Sequence, residues 1–259
     1  MLFEQIIAAA NVDEIDIPSG WSQGRALFGG LVGALLYQRT ASLVPHSRLR
    51  ALSINFIGPV ATGPARLQAS ILRQGKSVTQ AQAQLIQGDQ VQAMMLASFG
   101  AGRDSGIRVA AEPAPPYCKP EEQQTMPFLE GVSPAFLKHF DVRWAEGYFP
   151  YTGGDHGNLG GWERFHDASG PLTTAHLVAL VDVWPPATVG MLKTPAPASS
   201  MTWTMELVDD LAGQQADDWY RYRANTEFAA EGYTHAAARL WDRHGKLLAI
   251  SRQTAVVFG

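Results

Sequence analysis

Two side chains in the second half of the chain stand where apolar ones are expected, and a group of hydroxyls lies between them. Asp182 interrupts the run LVALVDVW, three residues before Pro185. Near a helix C-terminus a carboxylate meets the unfavourable end of the dipole, and on a buried helix it also loses solvation, which raises its affinity for protons. Such an acid suits a general base working near neutral pH. The alternatives are an exposed last-turn residue or an ion pair. Gln253 lies in LLAISRQTAVVF, on the side of that run shared by Leu247, Ala249, Ser251, Ala255 and Val257. An amide buried without partners costs about 1–3 kcal/mol. Something must meet it, whether a functional group or a structural loop carbonyl. The hydroxyls of SSMT (residues 199–202) open the strand-like run between these two residues. Serine and threonine are common at strand starts, so by themselves they say little.

The elements that must position these residues occur twice. In the first half FGGLVGALLYQRTASLVP is followed by four strand-like runs: LRALSINFIGP, PARLQASILRQGK, SVTQAQAQLIQ and QVQAMMLASFG. In the second, LTTAHLVALVDVWPPA leads into SSMTWTMELVDD, ADDWYRYRANTEF, GYTHAAARLWD and KLLAISRQTAVVF. The last two runs of each half are joined by a glycine-containing hairpin turn. The spacing of about 150 residues is far longer than a solenoid repeat and indicates a duplicated unit. Each apolar run is a helix buried on most sides, ended by Pro45 in the first half and Pro185-Pro186 in the second. Strand alternation places Met201, Trp203, Met205 and Leu207 on one face, and Ser200, Thr202, Thr204 and Glu206 on the other. Aligning the final strands puts Gln253 opposite Ala97, so the amide replaces an alanine on an inward face. The stretch between the halves is rich in proline and polar residues. It reads as a linker, dividing the chain into units 1–104 and 129–259 with 105–128 between them.

A long helix wrapped by an antiparallel sheet, made twice, is an α+β double hot-dog. The chain resembles the acyl-CoA thioesterase II family in GRALFGGLVGALLY (24–37), INFIGP (54–59) and QAMMLASF (92–99). In the second half the resemblance lies in GWERF (161–165), PLTTAHLVALVD (171–182), SSMTWTMEL (199–207) and ISRQTAVV (250–257). It implies hydrolysis of an acyl-CoA thioester to free acid and CoA, without metal or bound cofactor. The family's water-activating Asp, Thr or Ser, and Gln match Asp182, Ser200 and Gln253. Ser200 aligns better than its neighbours Ser199 and Thr202. Serine here stands where threonine is familiar, and Thr202 stands where the family has an acidic residue. Gly29 and Gly30, before the first helix, are candidates for oxyanion binding through backbone N–H groups; helix–sheet packing is the alternative reading. The first half has no counterpart of the glutamine, so one site per chain is expected.

Two rivals stay open. A hot-dog hydratase or dehydratase needs an Asp–His type pair, which has no evident place here. A non-catalytic acyl-thioester binding protein would use the same polar residues only to shape a pocket.

The totals exclude other classes. Twenty basic against 24 acidic residues give a net charge of −4, with no Lys/Arg run to engage nucleic acid or an anionic membrane. The lone Cys118, in a Pro-rich stretch, rules out a disulfide within the chain and fits a reducing compartment. The start MLFEQIIAAA lacks the basic residues of a signal peptide, and no apolar run reaches membrane-spanning length, so a cytoplasmic protein is expected. Seven histidines show no metal-binding spacing, and there is no G-x-S-x-G elbow. TGGDHGNLGG (152–161) is expected to form a flexible loop near a substrate entrance. Exposed sheet edges lead to pairing of the two halves and to a homo-oligomer.

Overall fold

The computed structural model describes residues 1–258. The chain begins with helix α1 (Phe3–Ala9), strand β1 (Glu14–Ile17) and the two-stranded ribbon β2 (Ser22–Gln23) and β3 (Ala26–Leu27). Helix α2 (Gly29–Ala41) leads into β4 (Leu49–Phe56), β5 (Gly63–Gln74), β6 (Val78–Gln87) and β7 (Gln90–Gly100). The connecting segment ends in β8 (Gln124–Thr125). The second half has two strands before its helix, β9 (Phe140–Gly147) and β10 (Asn158–Phe165). Then come α3 (Thr174–Leu180), β11 (Ala198–Leu207), β12 (Tyr220–Ala230), β13 (Tyr233–Trp241) and β14 (Leu247–Val257). All eight strands expected after the two helices are present. Among the described residues, no helix is long and apolar enough to cross a membrane.

Twelve strands form one sheet, in the order β1-β5-β6-β7-β4-β11-β14-β13-β12-β10-β9-β8. The halves join where β4 pairs antiparallel with β11, Ile54 opposite Trp203 and Ser53 opposite Thr204. This is the α+β double hot-dog arrangement that the resemblance implies. The two halves repeat even their irregularities. Ala97 lies opposite Leu52 and Ala81, and Gln253 opposite Trp203 and Ala236. Measured from these residues, Gln92 in β7 and Leu248 in β14 are extra residues at the same place. So are Arg50 in β4 and Met201 in β11. A bulge adds one residue to one strand and reverses the side-chain alternation beyond it.

Both helices are buried against the sheet. Leu31, Leu35 and Leu36 of α2, with Leu177 and Leu180 of α3, are fully enclosed, and each contributes about 1.5–3 kcal/mol on leaving water. The helices approach closely because α2 begins with glycine. A Cβ on Gly30 would collide with the Phe28 ring and come within 2.8 Å of the Ala179 carbonyl oxygen. The second helix is shorter than its apolar run suggests. Thr173 caps its start by accepting from the His176 N–H, and helical residues end at Leu180, not at Pro185. The Asp182 N–H donates to Ala179 O at 3.3 Å and the Val183 N–H to Leu180 O at 3.0 Å. The last turn thus tightens before the prolines are reached, as helix ends commonly do.

The segment between the halves docks along the second half as a strap. Trp241 Nε1 donates to Glu112 O at 3.0 Å, Trp162 Nε1 to Cys118 O at 2.9 Å, and Tyr117 Oη to Glu146 at 2.7 Å. The strap ends in β8, which adds two residues to β9. At the other end of the sheet, β1 covers only residues 63–66 of β5. The remainder of β5 carries a bulge at Leu72, followed by Arg73.

The stretch expected to be a loop at 152–161 is only partly one, since Asn158 onward belongs to β10. Its glycines explain why the strand character was hidden. A Cβ at Gly161 would strike the Arg143 carbonyl oxygen on the neighbouring strand and sit 2.9 Å from the Trp184 ring. Gly161→Ala is expected to destabilise the fold by about 1–3 kcal/mol, because the neighbouring backbone has to move. A melting temperature unchanged from wild type would contradict this.

Candidate active site

Three elements bring three side chains together. Asp182 comes from the turn after α3, Ser200 from the start of β11, and Gln253 from the middle of β14. The Gln253 amide donates both its protons, one to Asp182 Oδ1 at 2.9 Å and one to Ser200 Oγ at 2.9 Å. An ionised carboxylate has no proton to give, so it fixes which end of the amide faces it. Ser200 arrives through the bulge. Strict alternation would leave it on the outer face and Met201 on the inner one. With Met201 as the extra residue the assignment reverses, and Met201 is 40% exposed while Ser200 meets Gln253. The expectation that Met201 shares a face with Trp203, and Ser200 the opposite one, is therefore incorrect.

Gly29 and Gly30 open α2 beside Asp182. A Cβ on Gly29 would stand 2.6 Å from Asp182 Oδ2, so the carboxylate occupies space that any side chain there would take. The Asp182 side chain keeps a little accessible surface, yet its carboxyl is packed deeply. Loss of solvation pushes it up to about 7, against the opposing pull of the Gln253 amide and the Gly30 N–H.

Next to Asp182 and Gln253 is a cavity of about 20 Å³, whose wall includes Trp184, Trp203, Tyr222 and Ser251. That is room for one water molecule. Trp203 is fixed by its Nε1–H donating to Ser251 Oγ at 2.8 Å. Trp184 stacks on Tyr222, ring centres 5.6 Å apart and 5° from parallel. Behind this wall lies Glu163 of β10, which is fully buried. Loss of solvation holds its carboxyl well above the usual range. The Trp184 indole, which faces it, opposes that shift, and the nearby Asp182 adds to it. Sequence reading missed Glu163. The signal was its place in LGGWERF, at the same alternation as Phe165 and out of step with an exposed charge.

His176 is buried in the first turn of α3, 3.2 Å from Glu4. Among the described residues, no group of three His, Cys, Asp or Glu side chains is close enough to hold a metal ion. In the first half, the register places Leu49 where the second has Ser200, and Ala97 where it has Gln253. Neither can hold a water by hydrogen bonds.

Two family profiles match the chain: acyl-CoA thioesterase N-terminal domain over residues 17–100 and acyl-CoA thioesterase C-terminal domain over residues 120–257. Among solved structures, a hot-dog protein of unknown function from Alicyclobacillus acidocaldarius is similar, with a TM-score of 0.87 and 21% identity over 98% of each chain. An acyl-CoA thioesterase II from Mycobacterium marinum has a TM-score of 0.77 and 20% identity, over 99% of this chain and 98% of its own. Among curated proteins none is a significant match in sequence.

Proposed function

Because the chain belongs to the acyl-CoA thioesterase family, whose members are thioester hydrolases, we propose that Asp182, Ser200 and Gln253 activate the water that cleaves an acyl-CoA. The observation that carries this reading is the Gln253 amide bridging Asp182 and Ser200 at 2.9 Å each, beside space for one water. Both amide protons are committed, so Gln253 Oε1 remains to accept from the water. The Ser200 hydroxyl keeps its own proton to donate. Asp182 Oδ2 takes a proton from the water as its oxygen attacks the thioester carbonyl carbon. Negative charge then develops on the carbonyl oxygen, and in this reading the N–H groups at the start of α2 meet it, through Gly29 while the Gly30 N–H is turned to Asp182 and through Gly30 only if that contact is given up. When the C–S bond breaks, the proton held by Asp182 passes to the departing sulfur. Free acid and CoA result. With Leu49 and Ala97 in the corresponding places of the first half, each chain has one such site.

The acyl group is a fatty or related chain, and the division of labour follows the halves: residues 129–259 carry the site, and residues 1–104 supply α2 and the supporting sheet. The expected surroundings are cytoplasmic, with copies of the chain associating.

The test is release of free thiol from acyl-CoAs of increasing chain length. Ser200→Thr keeps the hydroxyl and is expected to stay within about threefold of wild type, whereas Ser200→Ala loses about tenfold, the worth of one hydrogen bond in the transition state. No thiol release by wild type from any acyl-CoA, with the ligand still bound, would favour a binding protein instead.

A further inference from the structure

The inward rows of the second half run in line from the candidate site into the sheet. Ser200 lies opposite Ala255, at the half-exposed start of β11. In the next inward row Trp203, Gln253 and Ala236 stand side by side on β11, β14 and β13. The row after that is Met205, Ser251, Ala238 and Ala224, and the following one ends in Tyr222.

The first half has the same small floor. Ala81, Ala83 and Ala69 stand where the second half has Ala236, Ala238 and Ala224. There the floor is used for packing, because α2 continues to Ala41 and lies across β5, β6 and β7. In the second half α3 stops at Leu180, and the alanines face the turn of Pro185, Pro186 and Ala187 instead. Alanines under a full helix are ordinary packing. Under a short turn they leave a groove, here drawn in to about 20 Å³.

The two ends of this groove differ. Asp182 and Gln253 line one end. The attacked carbonyl carbon must come within about 3–3.5 Å of the water they hold, so the first carbons of the acyl group enter here while CoA stays on the open side at Ser200. The other end is closed by Tyr222 with Trp184 stacked on it. Trp184 is held in place: its ring centre lies 4.9 Å from that of Trp144, its N–H faces Glu163, and it leaves no room even for a Cβ on Gly161. The roof is the side that gives way, since Pro185 and Pro186 donate no backbone hydrogen bonds. Successive inward rows are about 7 Å apart, so the floor between Gln253 and Tyr222 takes a chain of about four to six carbons.

We propose that the acyl group lies along Ala236, Ala238 and Ala224 beneath the Pro185-Pro186-Ala187 turn and is stopped by the Tyr222–Trp184 stack, which makes the substrates short-chain acyl-CoAs. This rests on the thioesterase reading of the adjoining site and names its substrate class.

The experiment measures kcat/KM of the full-length chain for acetyl-, butyryl-, hexanoyl-, octanoyl- and decanoyl-CoA. Wild type is expected to peak at hexanoyl-CoA or shorter, each buried methylene adding up to about fourfold, and to fall by about tenfold or more at decanoyl-CoA. Tyr222→Leu lowers the end wall and should raise the decanoyl-to-butyryl ratio by about tenfold. Ala238→Val adds bulk to the floor alone, so it tests the groove even if Tyr222→Leu fails to fold. It should cut the hexanoyl-to-acetyl ratio by about tenfold. A wild-type optimum at octanoyl- or decanoyl-CoA, or ratios unchanged in every variant that folds, would overturn the proposal while leaving the hydrolase reading standing. Failure of wild type to release thiol from any of the series defeats both.

Discussion

Asp182→Asn is expected to lower kcat for thioester hydrolysis by about 10²–10⁴-fold, the usual contribution of a positioned general base. Asparagine is nearly isosteric, and its Oδ1 still accepts from the Gln253 amide, so the geometry around Ser200 is kept. What is lost is the ability to take a proton from water. The fold should not suffer. Burial raises the Asp182 pKa to about 7 from an unfolded value near 4, so the folded state binds the proton more tightly than the unfolded one. The stability associated with that proton is fully present below about pH 4 and is lost as pH rises through about 7. At pH 8 the wild type holds a buried carboxylate that the variant does not, and the variant's melting temperature should match or exceed that of wild type. Thiol-release assays beside thermal melts at pH 8 measure both. A variant that keeps more than a tenth of the wild-type rate would remove Asp182 from the role of base.

The second expectation is a pH profile with one acidic limb. The free enzyme is active only when Asp182 is ionised, so kcat/KM should rise with pH, bend near 7 and then level. Below the bend the ionised fraction falls tenfold per pH unit, so the rate at pH 5 should be about a hundredfold below the plateau. Glu163 does not compete for this role, because it does not line the cavity beside Asp182, and burial and the Asp182 charge both raise its affinity for a proton. Residual activity of Asp182→Asn should show no bend there. A bend near 4 in wild type, where an ordinary aspartate titrates, would mean that the carboxyl is solvated in the working enzyme.

Much of the fold could be read from residue patterns because it is written twice. Each half offers a long apolar run and then four alternating ones, and comparing them isolates Gln253 as the amide in an alanine's place. The bulges cannot be seen in that way. Simple alternation put Ser200 on the face opposite Trp203, and only the extra residue Met201 brings it to the side of Gln253. Strand β10 was not anticipated because glycines at 160 and 161, needed for close approach to neighbouring backbone and to Trp184, break the alternating pattern. The end of α3 was placed too late because apolar character continues through Val181 and Val183 after the helical hydrogen bonds have stopped. Glu163 shows the opposite difficulty. A charged letter in a strand suggests solvent, and only the packing of Trp184 over it shows that it is buried.

The ends of the sheet have a consequence for how molecules of this protein meet. Twelve paired strands would ordinarily present two long ladders of unmet N–H and C=O groups, ready templates for fibril growth. Here one end finishes in the two residues of β8. The other is covered by β1 for four residues and then disrupted by the bulge at Leu72 and the charge of Arg73. An incoming strand finds no straight run to zip against. Crowded copies are therefore steered away from runaway polymerisation, and any association between them must be made by side chains on the faces of the sheet, where contacts can close into a finite particle.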